Sequence, residues 1–114
     1  MDSIKSLLLE YQKNIYLIPT MQFINLVRPK ELAVQEDSLT ALFQDETVFL
    51  KHSLDQSHYC AILHQTDRQK LVVPLSKAPK PINITAQNLS WHVQEKKMVI
   101  ISHPDYPDTI AEIL

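Results

Sequence analysis

The sequence predicts an α+β fold: an N-terminal helix, an antiparallel sheet of about five strands and a short C-terminal helix. Three observations support this class. Apolar residues near the N terminus recur at helical spacing, apolar segments separated by polar turns fill most of the remaining chain, and an aspartate suited to capping precedes the last residues. The turns are too short for crossover helices, which favours antiparallel pairing. At 114 residues, we predict a single α+β domain, 1–114.

The first predicted element is a helix. Its apolar positions follow i, i+3 and i+4 spacing: Ile4, Leu7, Leu8, Tyr11 and Ile15. Asp2 or Ser3 can cap its start, and Asn14 stands where a left-handed residue often ends a helix.

Short and ambiguous elements come next. Residues 15–18 form an apolar run typical of a buried strand, which Pro19 stops. Residues 21–27 fit a strand or a short helix equally well, because their apolar positions satisfy neither period. Asp37 can cap a second short helix, in which apolar residues share one face: Leu39, Leu42 and Phe43.

The remaining segments read mainly as strands. They are 47–50, 58–64, 71–75, 82–85, 89–93 and 97–101. Residues 66–69 and 94–96 are predicted turns, and Pro74 predicts that its segment is an edge strand or ends there. After a rigid loop at 103–107, Asp108 can cap a last helix over 109–114.

The chain contains no glycine. This excludes a Walker phosphate loop, a dinucleotide-binding G-x-G-x-x-G and a G-x-S-x-G nucleophile elbow, which all need glycine where a Cβ would clash. It also predicts few two-residue mirror-image hairpins and more connections of three to five residues. Left-handed backbone positions are expected at Asn or Asp, with Asn14 first.

The charge balance and the cysteine count restrict partner and compartment. With 11 basic and 13 acidic residues and a net charge of −2, neither a nucleic acid nor a membrane surface is an expected partner. The single cysteine excludes an intramolecular disulfide and fits a reducing compartment. The N-terminal residues lack a secretory signal pattern and no apolar run approaches about 20 residues, so a cytoplasmic protein is expected.

Two chemical sites can be considered around the histidines. His58 and Cys60 share one face of a predicted strand, and His92 could approach from another, giving nitrogen and sulfur ligands for a metal or a thiol with a base. The paired spacings of structural zinc sites are absent. Burial of Cys60 as a small apolar side chain is the simpler interpretation. Asp105 and Asp108 could form a pair of catalytic carboxylates, but helix capping explains them more simply. We therefore predict no catalytic residue and no cofactor.

Apolar strand surface favours protein binding instead. Trp91 shares a strand face with Leu89 and Val93, and tryptophan often anchors interfaces. The segments 15–18 and 97–101 are apolar on both faces and must be covered on both. The N-terminal helix, a partner or a second copy could supply that cover, so Trp91, Val99 and Ile101 are the candidate contact residues.

The leading hypothesis is a small, soluble, non-enzymatic protein-interaction module: an adaptor, a chaperone or an inhibitor of the immunity-protein type. It acts on a protein partner, forms a homodimer, or does both. The alternative is the metal- or thiol-dependent site built on His58, Cys60 and His92.

Overall fold

Strands form nearly all the regular structure in the described part of the chain. The computed structural model describes the backbone of residues 3–55, 57–65, 69–93 and 98–114, and their side chains except 90–93 and 108. Within these ranges there are twelve strands in two six-stranded sheets, a few single-turn 3-10 segments and no α-helix. The predicted α+β class is therefore wrong, because the described fold is almost entirely β.

The strands follow the chain in this order: β1 (Ile4–Tyr11), β2 (Asn14–Pro19), β3 (Phe23–Val27), β4 (Ala33–Val34), β5 (Thr40–Phe43), β6 (Glu46–Leu50), β7 (Tyr59–His64), β8 (Lys70–Leu75), β9 (Lys80–Ile84), β10 (Leu89–Val93), β11 (Met98–His103) and β12 (Tyr106–Ile113). They divide into two compact units, each containing one sheet. The prediction of a single domain over 1–114 stays a prediction.

The first unit comprises Met1–Thr20 and Pro79–Leu114. Its strand order is β10-β11-β12-β2-β1-β9, antiparallel throughout except for the parallel pair β12–β2. One face carries a cluster of buried apolar side chains: Leu8, Leu17, Ile82, Ile84, Val99, Ile101 and Ala111.

The second unit is the continuous segment Met21–Ala78. Its strand order is β3-β7-β8-β6-β5-β4, with β6 and β8 parallel. Its core cluster contains Val27, Leu32, Ala41, Val48, Cys60, Ile62 and Val72. Purely antiparallel pairing is thus wrong in both units. β7 lies between β6 and β8 along the chain and runs antiparallel to β8. β6 and β8 can therefore lie side by side in the same direction without a crossover helix.

The predicted N-terminal helix is wrong. Residues 4–19 form a hairpin of β1 and β2, in which Tyr11 is paired with Asn14. The consecutive residues Leu8 and Leu9 are both buried, although they lie on opposite faces of β1. β1 is paired with β2 on one side and β9 on the other. Hydrogen bonds to two neighbouring strands and burial of both strand faces stabilise β1 more than a helix would be stabilised, because the apolar run 7–9 fits the helical spacing only partly.

The predicted C-terminal helix is also wrong. Residues 106–113 form β12, paired with β11 and β2. A six-residue helix is marginal without tertiary packing, whereas the strand buries Ala111 completely. The predicted rigid loop shrinks to a two-residue turn, since His103 is paired with Tyr106.

The second predicted helix is replaced by β5. Asp37 does accept backbone N–H groups, as a cap would, from Leu39 at 2.9 Å and Thr40 at 3.2 Å. These bonds close a turn that leads into a strand rather than a helix. Ala41 is fully buried while Leu42 is exposed, which is the alternation of a strand.

The expectation of long connections is wrong at three hairpins. Residues 12–13, 44–45 and 104–105 are two-residue turns. Positive φ occurs at Gln12, Ser38, Gln44 and Asp45. Among the described residues, the preference for Asn or Asp is therefore met by Asp45 alone, and Asn14 is not left-handed. The predictions for Asp2, for the turn at 66–68 and for the turn at 94–96 lie outside the described residues.

Several strand predictions are confirmed. β2 ends at Pro19 after three consecutive buried residues. In the ambiguous segment 21–27, the first two residues belong to a 3-10 turn and the rest form β3. The predicted segments 47–50, 71–75 and 89–93 lie in strands, whereas 58–64 and 82–85 each extend one residue beyond theirs. The segment 97–101 coincides with β11 from Met98 onward, and Lys97 lies outside the described residues. Pro74 stands near the end of β8, beyond the residues paired with β6. Within the described residues, no helix has the length and apolar character needed to cross a membrane.

Candidate functional site

A polar cleft of about 460 Å³ lies in the first unit. It is lined by Lys5, Ser6, Leu7, Thr20, Pro81, Ile82, Asn83, His103 and Asp105. β1 and its neighbour β9 supply one wall, where Lys5 is paired with Asn83. The turn between β11 and β12 supplies the imidazole and the carboxylate. The cleft therefore combines an ammonium, an amide and a histidine on one sheet.

The His103 ring is held by the turn that follows it. The backbone N–H of Asp105 donates to His103 Nδ1 at 3.1 Å, and Asp105 Oδ2 lies 3.8 Å from the same nitrogen. Because Nδ1 accepts this hydrogen bond, the neutral ring carries its own hydrogen on Nε2.

No activated nucleophile is evident among the described residues that line this cleft. The Ser6 hydroxyl is buried and donates to the carbonyl of Ile4 at 3.3 Å. In the neutral tautomer His103 Nε2 is a donor, so it cannot act as the base that a serine nucleophile needs. The cleft offers polar contacts, and its geometry assigns no reaction. Sequence reasoning missed it because it judged Asp105 only against Asp108 and gave His103 no role.

The sequence-predicted thiol lies inside the second unit. Cys60 is completely buried in the core cluster, between Val27 and Pro74 on the neighbouring strands. Burial raises the pKa of the Cys60 thiol to about 11, against a smaller opposing effect of a hydrogen bond with the Ser57 side chain. His58 is exposed and precedes β7. A protonated, enclosed thiol is a poor nucleophile and a poor metal ligand.

The described part of the chain contains no cluster of side chains that could bind a metal ion. Within it, no group of three or more His, Cys, Asp or Glu side chains is placed to hold an ion. His92 belongs to β10, and its side chain lies outside the described set. The structure therefore places His58 and Cys60 in the second unit, and the part of the hypothesis that involves the His92 side chain lies outside the described residues.

The candidate contact residues of the first unit are mostly internal. Val99 and Ile101 are 1% and 0% exposed and belong to its core cluster. Trp91 is paired with Val99, and its side chain lies outside the described set. Neither Val99 nor Ile101 reaches the surface, because β11 is covered within the chain itself. In the segment 15–18, residues 16–18 are likewise buried by the chain's own residues.

No family model matches this chain, and no curated protein is recognisably similar to it in sequence. The surface of the second unit gives a more direct indication of function. On β4, β5 and β6, one face of the sheet is open to solvent. Ala33 is paired with Leu42, and Thr40 with Phe49, so these side chains share that face. We call the residues Ala33, Thr40, Leu42, Thr47 and Phe49 the outer face.

The outer face is apolar at its centre. Leu42 and Phe49 are each 38% exposed, and Ala33 beside them is exposed as well. Phe49 is in turn paired with the buried Leu71 of β8, so the exposed apolar surface continues an apolar interior. Such a surface on a strand face is a typical binding feature. The period-2 alternation of 40–43 and 47–49 could have revealed it, had the first segment not been assigned to a helix.

Acidic residues predominate in the segment 29–51, which carries this face. The segment 29–51 contains the acidic residues Glu31, Glu36, Asp37, Asp45 and Glu46 and the basic residues Lys30 and Lys51. All of them are exposed. Glu46 is offset by Lys70, whose Nζ lies 2.8 Å from its carboxylate. The segment 29–51, which carries the outer face, is therefore net acidic, and we call its exposed charged residues the acidic segment.

A second cavity, entirely different in character, lies in the first unit. It measures about 140 Å³ and is lined by Ile4, Ser6, Leu17, Pro19, Ile84, Leu89 and Ile113. Alternation along β1 places Ile4 and Ser6 on the face opposite Lys5 and Leu7, which line the polar cleft. Ser6 also lines the polar cleft, so the two cavities share this residue of β1.

Proposed function

We propose that this chain is a non-enzymatic protein-interaction module that binds a partner protein through the outer face of β4, β5 and β6. The observation that carries the proposal is the exposure of Leu42, in register with Ala33, and of Phe49, in register with Thr40, on one face of three adjacent strands. Apolar residues at the centre with polar residues around them are the usual anatomy of a binding surface.

The net acidic charge of the segment 29–51, which carries the outer face, favours a different protein over a second copy. In a two-fold dimer formed through this face, the same surface meets itself, so acidic residues would oppose acidic residues. Like charges placed together at an interface cost several kcal/mol. A partner with an apolar centre and a basic rim avoids that cost. The proposed partner therefore has exposed Lys or Arg residues around an apolar patch.

The absence of an assigned reaction supports the non-enzymatic part of the proposal. Cys60 is enclosed and protonated, and His103 is held in a tautomer unsuited to activating a nucleophile at Nε2. We further propose a reducing compartment, the cytoplasm, as the site of action. The enclosed single thiol supports this, because the chain forms no internal disulfide that would need oxidising conditions.

The test compares a variant of the outer face with a variant of matched charge. Leu42→Lys with Phe49→Lys places two charges on the outer face. Met21→Lys with Ile110→Lys places the same charges at other exposed apolar positions, 87% and 44% exposed. Each tagged protein is used to capture partners from a native extract, and the stoichiometric partner is then titrated by calorimetry. Circular dichroism confirms that both variants fold.

We expect the outer-face variant to bind at least about tenfold more weakly, since a central apolar contact is worth more than about 1.4 kcal/mol. The matched control should bind like the unmodified protein, and added salt should weaken binding. Equal binding by both variants would overturn the proposal. So would a dimer, measured by light scattering, that only the outer-face variant dissociates.

A further inference from the structure

The apolar cavity of the first unit is built from three register pairs. Ile4 is paired with Ile84, Ser6 with Pro19, and Leu17 with Ile113. Paired residues share a sheet face, so these six side chains surround one space at the end of the core cluster. Leu17 and Ile84 belong to that cluster, and Ile113 packs against it. Ile4, which is 61% exposed, stands at the opening.

The lining is almost wholly apolar. Among the described residues that contribute to it, Ser6 alone carries a polar side chain, and its hydroxyl already donates to the carbonyl of Ile4. A water molecule needs two to four polar partners to occupy a cavity favourably, and these lining residues offer few of them. The described residues of the lining include no charged side chain that could hold an ionic headgroup. The cavity therefore suits an uncharged hydrocarbon group.

The volume sets the size of that group. A cavity of about 140 Å³ is close to the volume of about 150 Å³ at which an apolar protein cavity binds benzene. A single aromatic ring or a branched alkyl group fills it. A nucleotide, a sugar or a long acyl chain does not fit.

The geometry points to a binding site for one small, uncharged apolar group in this cavity, a ring or branched alkyl group of about the size of benzene. This site is independent of the partner surface, since its residues belong to the first unit and those of the outer face to the second. The group can be a free hydrocarbon molecule or an apolar side chain carried on a peptide backbone. Both sources share the chemistry that the cavity selects.

The experiment titrates the full chain, with its Ile and Leu methyl groups labelled for NMR. The first probe is toluene, a free hydrocarbon. The second is N-acetyl-phenylalaninamide, which carries the same ring on a backbone, and the third is benzylamine, which adds a charge. We expect toluene to shift the methyl signals of Ile4, Leu17, Ile84, Leu89 and Ile113 in a saturable way, with a Kd on the order of 1 mM. Benzylamine should bind at least about tenfold more weakly because its ammonium loses hydration.

A matched pair of variants locates the binding. Ile113→Phe fills the cavity and should abolish the toluene shifts. Ile110→Phe makes the same change on the same strand at an exposed position outside the lining, and should leave them unchanged. Leu89→Phe, at a half-buried lining position, repeats the test if Ile113→Phe does not fold.

The outcomes separate the two sources and decide the inference. Binding of toluene alone supports a free hydrocarbon, and binding of both ring probes supports an apolar side chain. Shifts that grow linearly without saturation would overturn the site. So would shifts scattered over both units, or unchanged binding in the cavity-filling variants.

Discussion

Glu112 on β12 lies in register with Tyr16 on β2, in the parallel pair that joins the last strand of the chain to the second. The Tyr16 side chain is buried, with 3% of its surface exposed. Burial raises the pKa of the Tyr16 phenol to about 12, and the negative charge of Glu112 adds to the effect. This parallel contact therefore has a titration signature that can be measured.

We predict that Glu112→Gln lowers the pKa of Tyr16 while leaving it above 10.0, because burial is the larger cause and remains. Tyrosinate absorbance near 295 nm, compared with a Tyr16→Phe variant, isolates this one phenol from the others. Glu10→Gln removes the same charge from β1 of the same unit and serves as the control. An unchanged titration in Glu112→Gln would show that β12 and β2 are not in this register.

The same shift predicts a loss of stability at high pH. A pKa that is raised in the folded state contributes stability below the unfolded value of 10.0, and this contribution is lost as the pH rises through about 12. Urea unfolding between pH 9 and 12 should show a smaller decline for Tyr16→Phe than for the unmodified protein. Parallel curves would contradict the assignment.

Cys60 should be nearly unreactive in the folded protein. With a pKa of about 11, about 0.1% of the thiol is ionised at pH 8, against about a quarter of an ordinary thiol with a pKa of about 8.5. We expect iodoacetamide to modify native Cys60 at least about a hundredfold more slowly than the chain unfolded in urea, with mass spectrometry as the readout. Similar rates in the two states would revive the thiol hypothesis.

The sequence predicted individual strands better than it predicted the fold. Apolar β-branched segments such as 47–50 and 71–75 carry their own signal, since their length and composition suit a buried strand. Residues 4–11 do not, because an apolar run with polar neighbours satisfies the helical and the strand period equally. What decides between them is the presence of β2 and β9 on either side, which are distant partners that no local pattern contains.

The candidate surfaces were hidden by the same errors. Assigning 37–43 to a helix placed Leu42 and Phe43 on one face, whereas the strand separates them and turns Leu42 outward. Val99 and Ile101 were proposed as contacts because a fold with few helices leaves little to cover them, yet both are buried in the core cluster of the first unit. Lys5 and His103 are far apart in the sequence and line the same cleft only in the folded chain, so their spacing in the sequence could not predict it.

Asp37 should stabilise the turn before β5 through its carboxylate. The hydrogen bonds from Leu39 and Thr40 lower the pKa of Asp37 below 3.8. We expect Asp37→Ala to lower the Tm by a few °C, whereas Asp37→Asn, which keeps an acceptor oxygen, lowers it less.

The same turn should depend on pH. A group whose pKa is lowered in the folded state contributes stability above its unfolded pKa, and this contribution is lost as the pH falls through its folded pKa. The Tm difference between Asp37→Ala and the unmodified protein should therefore shrink below pH 3.8, and a constant difference would refute this role of the charge.

Glycine, which the chain lacks, should stabilise the turn between β5 and β6. Gln44 and Asp45 have φ values of 50° and 65°, the signs required by a type I′ hairpin turn, for which an asparagine followed by a glycine is the favoured pair. The double substitution Gln44→Asn with Asp45→Gly should raise the free energy of unfolding by about 1 kcal/mol, because left-handed backbone costs most residues about that much. Asp105→Gly is the matched control: Asp105 also lies in a two-residue turn but not at positive φ, so glycine there relieves no left-handed backbone. It increases the entropy of the unfolded chain and removes the carboxylate that lies 3.8 Å from His103 Nδ1. Urea unfolding should thus move in opposite directions for the two turns. Destabilisation at both would mean that the backbone at 44–45 is not left-handed.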